Sequence, residues 1–151
     1  MIKLIRTNSE NEDFVFLVKH LDAYLKITDG DEHEFYNQFN NIDVINHVVI
    51  AYSDNQPIGC GAFKKIDPLK VEIKRMFTKA EKREQGVASK ILKELENWAK
   101  ELNYKATILE TGIRQTEAVA FYKKNLYQIT ANYGQYIEVE NSICFQKELN
   151  K

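Results

Sequence analysis

The stretch that decides the fold runs from residue 70 to residue 102 and reads KVEIKRMFTKAEKREQGVASKILKELENWAKEL. Its first part, Lys70–Thr78, alternates with a period of two, which predicts a strand. One face of that strand is expected to carry Val71, Ile73, Arg75 and Phe77. From Gly86 onward, apolar residues recur every three or four positions, which predicts an amphipathic helix that ends near Asn103. The stretch therefore predicts a strand, a short basic link and a helix.

The link between this strand and helix contains Arg83-Glu84-Gln85-Gly86-Val87-Ala88. Gly86 has no Cβ atom, so a ligand can approach the backbone closely there. The first amides of the helix lack intrahelical acceptors and lie at the positive end of the helix dipole, which makes an anion site. Ser89 can add a hydroxyl group, and Lys82 and Arg83 can add positive charge. A phosphate or pyrophosphate would fit here; the alternative is an ordinary strand-to-helix turn with solvated basic residues.

Two short motifs resemble signatures of the GNAT superfamily of N-acetyltransferases. Arg83-x-x-Gly86-x-Ala88, between a strand and a helix, resembles the Q/R-x-x-G-x-G/A loop of that family. Further along the chain, Phe121-Tyr122-Lys123-Lys124-Asn125-Leu126-Tyr127 is similar to the family's F-Y-x-K-x-G-F/Y segment. In that family the loop binds the pyrophosphate of acetyl-coenzyme A (acetyl-CoA). The strand before the loop separates from its neighbour, and its backbone pairs with the pantetheine arm.

The resemblance implies a set of acetyl-CoA-binding residues on the strand, the loop, the helix start and the later motif. They are Met76, Phe77, Thr78, Arg83, Glu84, Gln85, Gly86, Val87, Ala88, Ser89, Gln115 and Tyr122. Gln115 is the weaker assignment, because the family more often has Asn there, whose side chain helps to hold the cofactor arm. Asn125 stands where the family usually has Gly. Since Asn also adopts the left-handed conformation, we expect Asn125 to take the role of that glycine.

Acetylation of an amine requires a proton acceptor for the amine, a donor for the oxyanion and a proton for the leaving thiolate. The resemblance suggests Tyr122 as the acid, because the family often has a tyrosine near the thioester sulfur at this position. A phenol with an unperturbed pKa of about 10 is protonated at neutral pH. The alternative is a core-facing tyrosine next to Phe121. The oxyanion donor is expected to be a backbone amide, that of Met76 or Phe77.

The general base has two candidates, Glu72 and Glu110. Glu72 precedes Arg83 by eleven residues, an offset similar to that of the catalytic glutamate in the histone-acetylating members of the family. A glutamate needs burial to become an efficient base. One alternative is an ion pair between Glu72 and a neighbouring Lys or Arg. Another is a water molecule relayed to backbone carbonyls, which many family members use.

Length and composition set broad limits on the protein. The chain has 151 residues, of which 44% are hydrophobic and 28% charged, and a net charge of −1, which predicts a single domain over residues 1–151. No basic block suggests a nucleic-acid partner, and no apolar run is long enough to span a membrane. Because no signal peptide precedes the first predicted strand, we expect a cytoplasmic location. Cys60 and Cys144 lack the spacing of metal ligands, so we expect two buried thiols and no metal site.

The rest of the chain alternates between strand and helix patterns. Further strands are predicted over residues 2–6, 47–52, 58–66, 105–110, 126–130 and 142–148, the last two as an antiparallel pair. Helices are predicted over residues 11–28 and 32–40 and from Gln115. Gly59 and Gly61 within a strand mark a close approach or a bulge, and the strand–helix–strand unit over residues 70–110 requires parallel pairing. The resemblance implies an α/β (α+β) fold of the GNAT type, with a mixed, mostly antiparallel sheet of six to seven strands flanked by about four helices.

We therefore expect an N-acetyltransferase that moves acetyl from acetyl-CoA to a primary amine of a small molecule or peptide, by direct attack in a ternary complex. Residues 29–41 and the loop over residues 132–141 would select the acceptor. The acidic residues Asp29, Asp31, Glu32 and Glu34 would favour a cationic acceptor, or they stabilise the start of a helix. The alternatives are an acyl-CoA-binding domain without turnover and a module that binds nucleotides or phosphorylated peptides. The identity of the acceptor and a homodimeric state are left open.

Overall fold

A computed structural model describes residues 1–29, 45–83 and 85–149 of the chain. The strands are β1 (Ile2–Thr7), β2 (His47–Ser53), β3 (Gln56–Asp67), β4 (Lys70–Thr78), β5 (Ala106–Gly112), β6 (Gln128–Thr130) and β7 (Ser142–Glu148). The helices are α1 (Glu12–Asp29), α2 (Val87–Glu101) and α3 (Thr116–Lys124), with 3₁₀ turns at Ala80–Lys82 and Gly134–Tyr136. The helix predicted over residues 32–40 lies outside the described residues. In the described parts of the chain, no helix is long and apolar enough to cross a membrane.

The seven strands form one sheet in the order β1-β2-β3-β4-β5-β7-β6. β4 and β5 pair in parallel, and every other neighbouring pair is antiparallel. The predicted mixed, mostly antiparallel sheet is confirmed, and so is the antiparallel pairing of the last two strands. α2 connects the two parallel strands, as such a pair requires. Three α-helices occur within the described ranges, against about four predicted.

Helices cover both faces of the sheet. Val49 and Ile73 join residues of α2 in one buried apolar cluster, whereas Val48 and Ile50 join residues of α1 in another. Adjacent residues of a strand point to opposite faces, so the two clusters lie on opposite sides of the sheet. Burial of both faces removes this apolar surface from water and fixes α1 and α2 relative to β4.

Gly61 of β3 allows α2 to pack closely on the sheet. A Cβ atom added there would lie 2.9 Å from side-chain atoms of Ile91 and Leu95, and closer still to the sulfur of Met76. Any larger residue would therefore push α2 away from β3 or displace β4. The prediction that glycine in this strand marks a close approach is confirmed.

β4 contains a bulge that changes which way its side chains point. Ala62 of β3 pairs with Lys74, but Cys60 pairs with Phe77, so β4 gains one residue over β3. Arg75 lies within this bulge and has a φ angle of +59°. The alternation predicted for Lys70–Thr78 is therefore wrong beyond Lys74: Met76 packs with the α2 cluster and Phe77 with the α1 cluster. After the extra residue, each side chain of β4 points to the opposite face of the sheet from the one that strict alternation predicts, as expected of a bulge.

β4 and β5 separate shortly after they begin to pair. Their parallel pairing covers only Lys70 to Glu72, opposite Ala106 to Ile108. β5 continues to Gly112 and stays paired with β7, while β4 continues to Thr78 and stays paired with β3. Beyond Glu72, no described strand pairs with the edge of β4 that faces β5. The separation expected for the cofactor strand is present, and it opens a wedge in the middle of the sheet.

Two helices end with a residue in the left-handed conformation. Asn103 after α2 has a φ angle of +73°, as predicted. After α3, the prediction for Asn125 is wrong: its φ angle is −92°, and the left-handed φ angle of +73° belongs to Leu126. Leu126 is the sixth residue of the segment 121–127, which is the position of the glycine in F-Y-x-K-x-G-F/Y. The amide of Tyr127 donates to the carbonyl of Tyr122, and that of Leu126 to the carbonyl of Lys123. This is a Schellman motif, in which the left-handed residue is the one next to the final donor.

We predict that replacing Leu126 with glycine stabilises the protein. A left-handed conformation costs a non-glycine residue about 1–2 kcal/mol, and the exposed fraction of Leu126 is 74%, so little buried contact is lost. The greater freedom of glycine in the unfolded chain offsets roughly 0.5–1 kcal/mol of that gain. The free energy of unfolding, measured with urea, should rise by about 0.5–1 kcal/mol, which raises Tm by roughly 2–3 °C.

Leu69→Gly is the matched control for this change. Leu69 is also exposed, at 55%, but it does not have a positive φ angle. The control should lower the free energy of unfolding by about 0.5–1 kcal/mol. If both variants lose the same amount of stability, the backbone of Leu126 is not strained and the prediction is wrong.

Candidate active site

A cleft of about 580 Å³ lies between the second half of β4, the start of α2 and α3. β4 contributes residues 76–78, the link contributes Lys82 and Arg83, the start of α2 contributes residues 86–89, and α3 contributes Tyr122, with Gln115 just before it. These contributions include most of the cofactor-binding residues predicted from the sequence. The cleft thus combines an unpaired strand edge, a helix start and basic side chains in one space.

Two of the predicted residues remain, Glu84 and Gln85. Glu84 lies outside the described residues. The side chain of Gln85 is exposed, and its amide nitrogen donates a hydrogen bond of 3.4 Å to the carbonyl of Glu81. Gln85 is not among the residues that line the cleft. Its contact with the cofactor stays a prediction.

The start of α2 has the geometry of an anion site. Gly86 is the N-cap residue, and its carbonyl accepts the first helical bond, from the amide of Lys90, at 3.1 Å. The amides of residues 87–89 precede that donor, so they have no acceptor within the helix. They lie at the positive end of the helix dipole and border the cleft. This arrangement suits a phosphate group.

Gly86 is required by the conformation of the backbone. Its φ angle is +79°, in the left-handed region that disfavours side chains. A Cβ atom at this position would meet no atom within 4 Å. From the sequence, close approach of a ligand was the expected reason for glycine at position 86. The structure adds a different reason, which is the left-handed turn that aims the helix start at the cleft.

Arg83 is held at the edge of the cleft by two contacts. Its Nε donates to the carbonyl of Thr78 at 3.2 Å, and its guanidinium lies 4.9 Å from the centre of the Tyr24 ring in α1. Lys82 and Lys124 also line the cleft. The cleft is therefore lined by three cationic side chains and one acidic side chain, Glu117, and this excess of positive charge favours an anion.

Tyr122 lies between the cleft and a second, smaller cavity of about 100 Å³. Its ring packs against Tyr127 and Phe145 in the core, which matches the alternative of a core-facing tyrosine. The same residue lines both cavities, as the catalytic interpretation requires. Burial raises the pKa of the Tyr122 phenol above its ordinary value. The phenol is therefore protonated at neutral pH and can act as a hydrogen-bond or proton donor.

The smaller cavity is lined mainly by polar and charged residues. β4 contributes Glu72, Lys74 and Arg75, β5 contributes Glu110, and the turn before β7 contributes Tyr136. Leu21, Met76, Gln115, Ala118 and Tyr122 line both cavities. The two spaces are therefore neighbours, separated only by these shared side chains.

Both candidates for the general base lie on the smaller cavity. Glu72 is buried and accepts a hydrogen bond of 2.7 Å from the hydroxyl of Tyr133. The ammonium of Lys74 lies 3.7 Å from the other oxygen of Glu72, so the predicted alternative of an ion pair is also present. Glu110 accepts a hydrogen bond of 2.6 Å from Ser142. The burial that an efficient glutamate base requires is met at Glu72.

Burial changes the pKa values of two groups that contact Glu72, the Lys74 ammonium and the Tyr133 phenol. Burial lowers the pKa of the Lys74 ammonium, and the nearby Glu72 carboxylate acts in the opposite direction. Burial raises the pKa of the Tyr133 phenol, and the charge of Glu72 raises it further. Tyr133 is therefore a hydrogen-bond donor to Glu72 throughout the physiological range.

Several residues that line the two cavities were not predicted from the sequence. Leu21 and Tyr24 of α1 line the cleft. Their three-residue spacing is typical of one face of a helix and does not indicate a ligand site. Ala118 lies three positions after Gln115 and four before Tyr122, so the helical period was sufficient to find it. The loop over residues 131–141 was expected to serve recognition, and its Tyr136 does line the smaller cavity.

Comparisons with known proteins agree with this arrangement. The sequence profile of the acetyltransferase (GNAT) family matches residues 12–126. A Bacillus subtilis (strain 168) protein named "Uncharacterized N-acetyltransferase YsnE" is 32% identical over 101 residues, which cover 66% of this chain and 67% of that protein.

Solved structures share the fold along the whole chain. A candidate acyl-CoA N-acyltransferase from Klebsiella pneumoniae subsp. pneumoniae superposes with a TM-score of 0.83, at 26% identity, covering 99% of both chains. A GNAT family acetyltransferase from Elizabethkingia anophelis, solved with acetyl-CoA bound, has a TM-score of 0.69 at 21% identity, covering 97% of both chains.

Three features of the chain point to the same family. The sheet separates between β4 and β5, the loop signature begins a helix whose first amides border a cleft, and the matching family profile covers most of the chain. The fold is that of acyl-CoA N-acyltransferases, and the family supports acyl transfer as its general activity. The chain therefore belongs to the GNAT family of acetyltransferases.

Proposed function

We propose that this protein moves the acetyl group of acetyl-CoA to a primary amine of a small molecule or peptide, with both substrates bound at once. The observation that carries the proposal is the junction of two cavities at Tyr122. The larger cavity has the features of a cofactor site, and the smaller has the size and polarity of a site for a small head group. A cytoplasmic location stays a prediction, and the oligomeric state stays open.

The larger cleft fits acetyl-CoA in four respects. The unpaired edge of β4 offers backbone donors and acceptors to an amide-bearing arm, and the start of α2 offers amides to a pyrophosphate. Arg83 and two lysines add positive charge. The hydroxyl of Thr78, which lines the cleft, is buried and has no hydrogen-bond partner among the described residues. An unpaired buried hydroxyl is unfavourable, so a ligand that bonds it would gain affinity.

The residues around Tyr122 would divide the chemistry of transfer. Acetyl-CoA supplies an activated acyl group and a thiolate leaving group. Tyr122 donates a proton toward the leaving sulfur, since its phenol is neutral. A backbone amide of β4, that of Met76 or Phe77, donates to the oxygen on which negative charge develops. Glu72 takes the proton that the acceptor amine must lose, with Glu110 as the second candidate.

The first test is thermal unfolding of the protein with and without acetyl-CoA, with ATP as the control. A ligand at one hundred times its Kd stabilises the folded state by about 2.7 kcal/mol. We expect acetyl-CoA to raise Tm by several degrees and ATP to have little effect, because ATP lacks the arm that pairs with β4. An absence of any shift at saturating acetyl-CoA would contradict the proposal. Equal shifts with both ligands would indicate a general phosphate site.

Replacement of Tyr122 with phenylalanine should separate catalysis from cofactor binding. The change removes the proton donor and keeps the ring, so we expect kcat to fall about 100-fold or more and the affinity for acetyl-CoA to change little. The release of free thiol measures kcat, and calorimetry measures the affinity. Tyr104→Phe is the matched control, because Tyr104 packs against Phe63 away from both cavities. A non-catalytic acyl-CoA-binding domain would show no turnover to lose.

Glutamine variants should distinguish the two carboxylates. Gln keeps the shape of Glu but cannot take up the proton, so Glu72→Gln should lower kcat/KM about 100-fold. Glu110→Gln should have a much smaller effect, because Glu110 is the second candidate. The same thiol assay reports both values. A larger loss in the Glu110 variant would move the base to that residue, and small losses in both would favour a water relay.

A further inference from the structure

Arg75 is held in an unfavourable backbone conformation next to the smaller cavity. It is a non-glycine residue with a φ angle of +59° inside a strand, where β4 bulges and leaves β5. Such a conformation persists only where surrounding structure imposes it, and it is concentrated at functional sites. The bulge brings the side chain of Arg75 toward α1, where it meets Asp22. The position therefore requires an explanation beyond the pairing of strands.

The guanidinium of Arg75 is buried and only partly bonded. Its side chain is 3% exposed, and its Nη1 donates to Asp22 at 2.8 Å. Its Nε is fully buried, and no described residue accepts a hydrogen bond from it. A buried donor without a partner is unfavourable, and the edge of a guanidinium that contains Nε is one of the two that bind a carboxylate in a bidentate manner. Asp22 occupies a different edge.

The other charges of the cavity complement a molecule that carries both an amine and a carboxylate. Arg75 and Lys74 are cationic, while Glu72 and Glu110 are anionic. The two signs are equal in number in this lining, so neither a simple amine nor a simple acid matches it as well as a zwitterion does. The cavity of about 100 Å³ is also small, which suits a compact head group.

We propose that Arg75 binds a carboxylate of the acceptor, so that the acceptor is an amino acid or another amine that bears a carboxylate close by. The proposal rests on the proposed acetyltransferase function and names its substrate class. Asp22 orients the guanidinium from the side of α1, and the carboxylate takes the edge that contains Nε. The carboxylates of Glu72 and Glu110 then face the amine.

The test is a thiol-release assay with the full chain, acetyl-CoA and the common L-amino acids, each beside its carboxamide. The carboxamide keeps the amine and the side chain but loses the negative charge. We expect the best acid to have a kcat/KM about 100-fold above that of its amide, because a buried polar site rejects analogues that leave it unpaired. In Arg75→Gln, this preference should vanish, because activity on the acid should fall about 100-fold further than activity on the amide.

Asp22→Asn separates recognition from a purely structural ion pair. If Arg75 only holds the bulge through Asp22, both variants should lose stability and activity alike, without regard to the acid or the amide. The proposal instead predicts that Asp22→Asn keeps most of the preference for the acid, because the guanidinium remains. If Arg75→Gln does not fold, Arg75→Lys keeps the charge without the bidentate edge and should lose most of the preference.

The possible results distinguish the role proposed for Arg75 from the acetyltransferase function on which it rests. Turnover of amides as fast as acids, or turnover only of amines without a carboxylate, overturns the role of Arg75 and leaves the acetyltransferase intact. Acetyl-CoA binding with no turnover of any amine overturns both the inference and the proposed activity. A preference for acids that survives Arg75→Gln assigns the carboxylate to another cation of the cavity and also overturns the inference.

Discussion

The separation of β4 from β5 is the constraint on which the rest of the structure depends. Two parallel strands bonded along their full length would leave no space between them, and here the pairing covers only three residue pairs. The bulge at Arg75 places Met76 in the core cluster of α2 and Phe77 in that of α1, so the diverging half of β4 is packed from both sides. Its unpaired edge is therefore rigid and open, and its backbone groups need a partner other than a strand.

The two cavities created by this separation differ in their electrostatics. The cleft combines a helix start with three basic side chains, which suits a ligand of strong negative charge. The smaller cavity holds buried charges of both signs, and buried charges are tolerated only when they are paired and hydrogen-bonded. Tyr122 separates them as a neutral phenol, so it adds no charge to either side. Tyr122 can therefore contact a polyanionic ligand in the cleft and a compact polar ligand in the smaller cavity without attracting or repelling the charge of either.

The sequence was informative where a single short segment determines the geometry. The loop around Gly86, the helix that follows and most of the cleft lining could be predicted, because amphipathic period and helix-start chemistry are local. The bulge could not be predicted, since Arg75 and Lys74 are both polar and a slip of one residue leaves no trace in the pattern. The left-handed residue after α3 was placed one position too early, because the glycine of F-Y-x-K-x-G-F/Y was assigned to Asn125, whereas the segment aligns it with Leu126. The smaller cavity was missed as a unit because its lining comes from five separate parts of the chain, which are α1, β4, β5, α3 and the turn before β7.

α1 touches both sites through residues only two positions apart. Tyr24 supports the guanidinium of Arg83 at the cleft, and Asp22 bonds that of Arg75 at the smaller cavity. A ligand that draws either arginine away from α1 changes the contacts of the same helical turn that positions the other. Coupling of binding free energies is reciprocal. If one substrate changes the affinity for the other by some factor, the second substrate changes the affinity for the first by the same factor. The shared support from α1 is thus a physical route by which a ligand in one cavity would alter the affinity of the other.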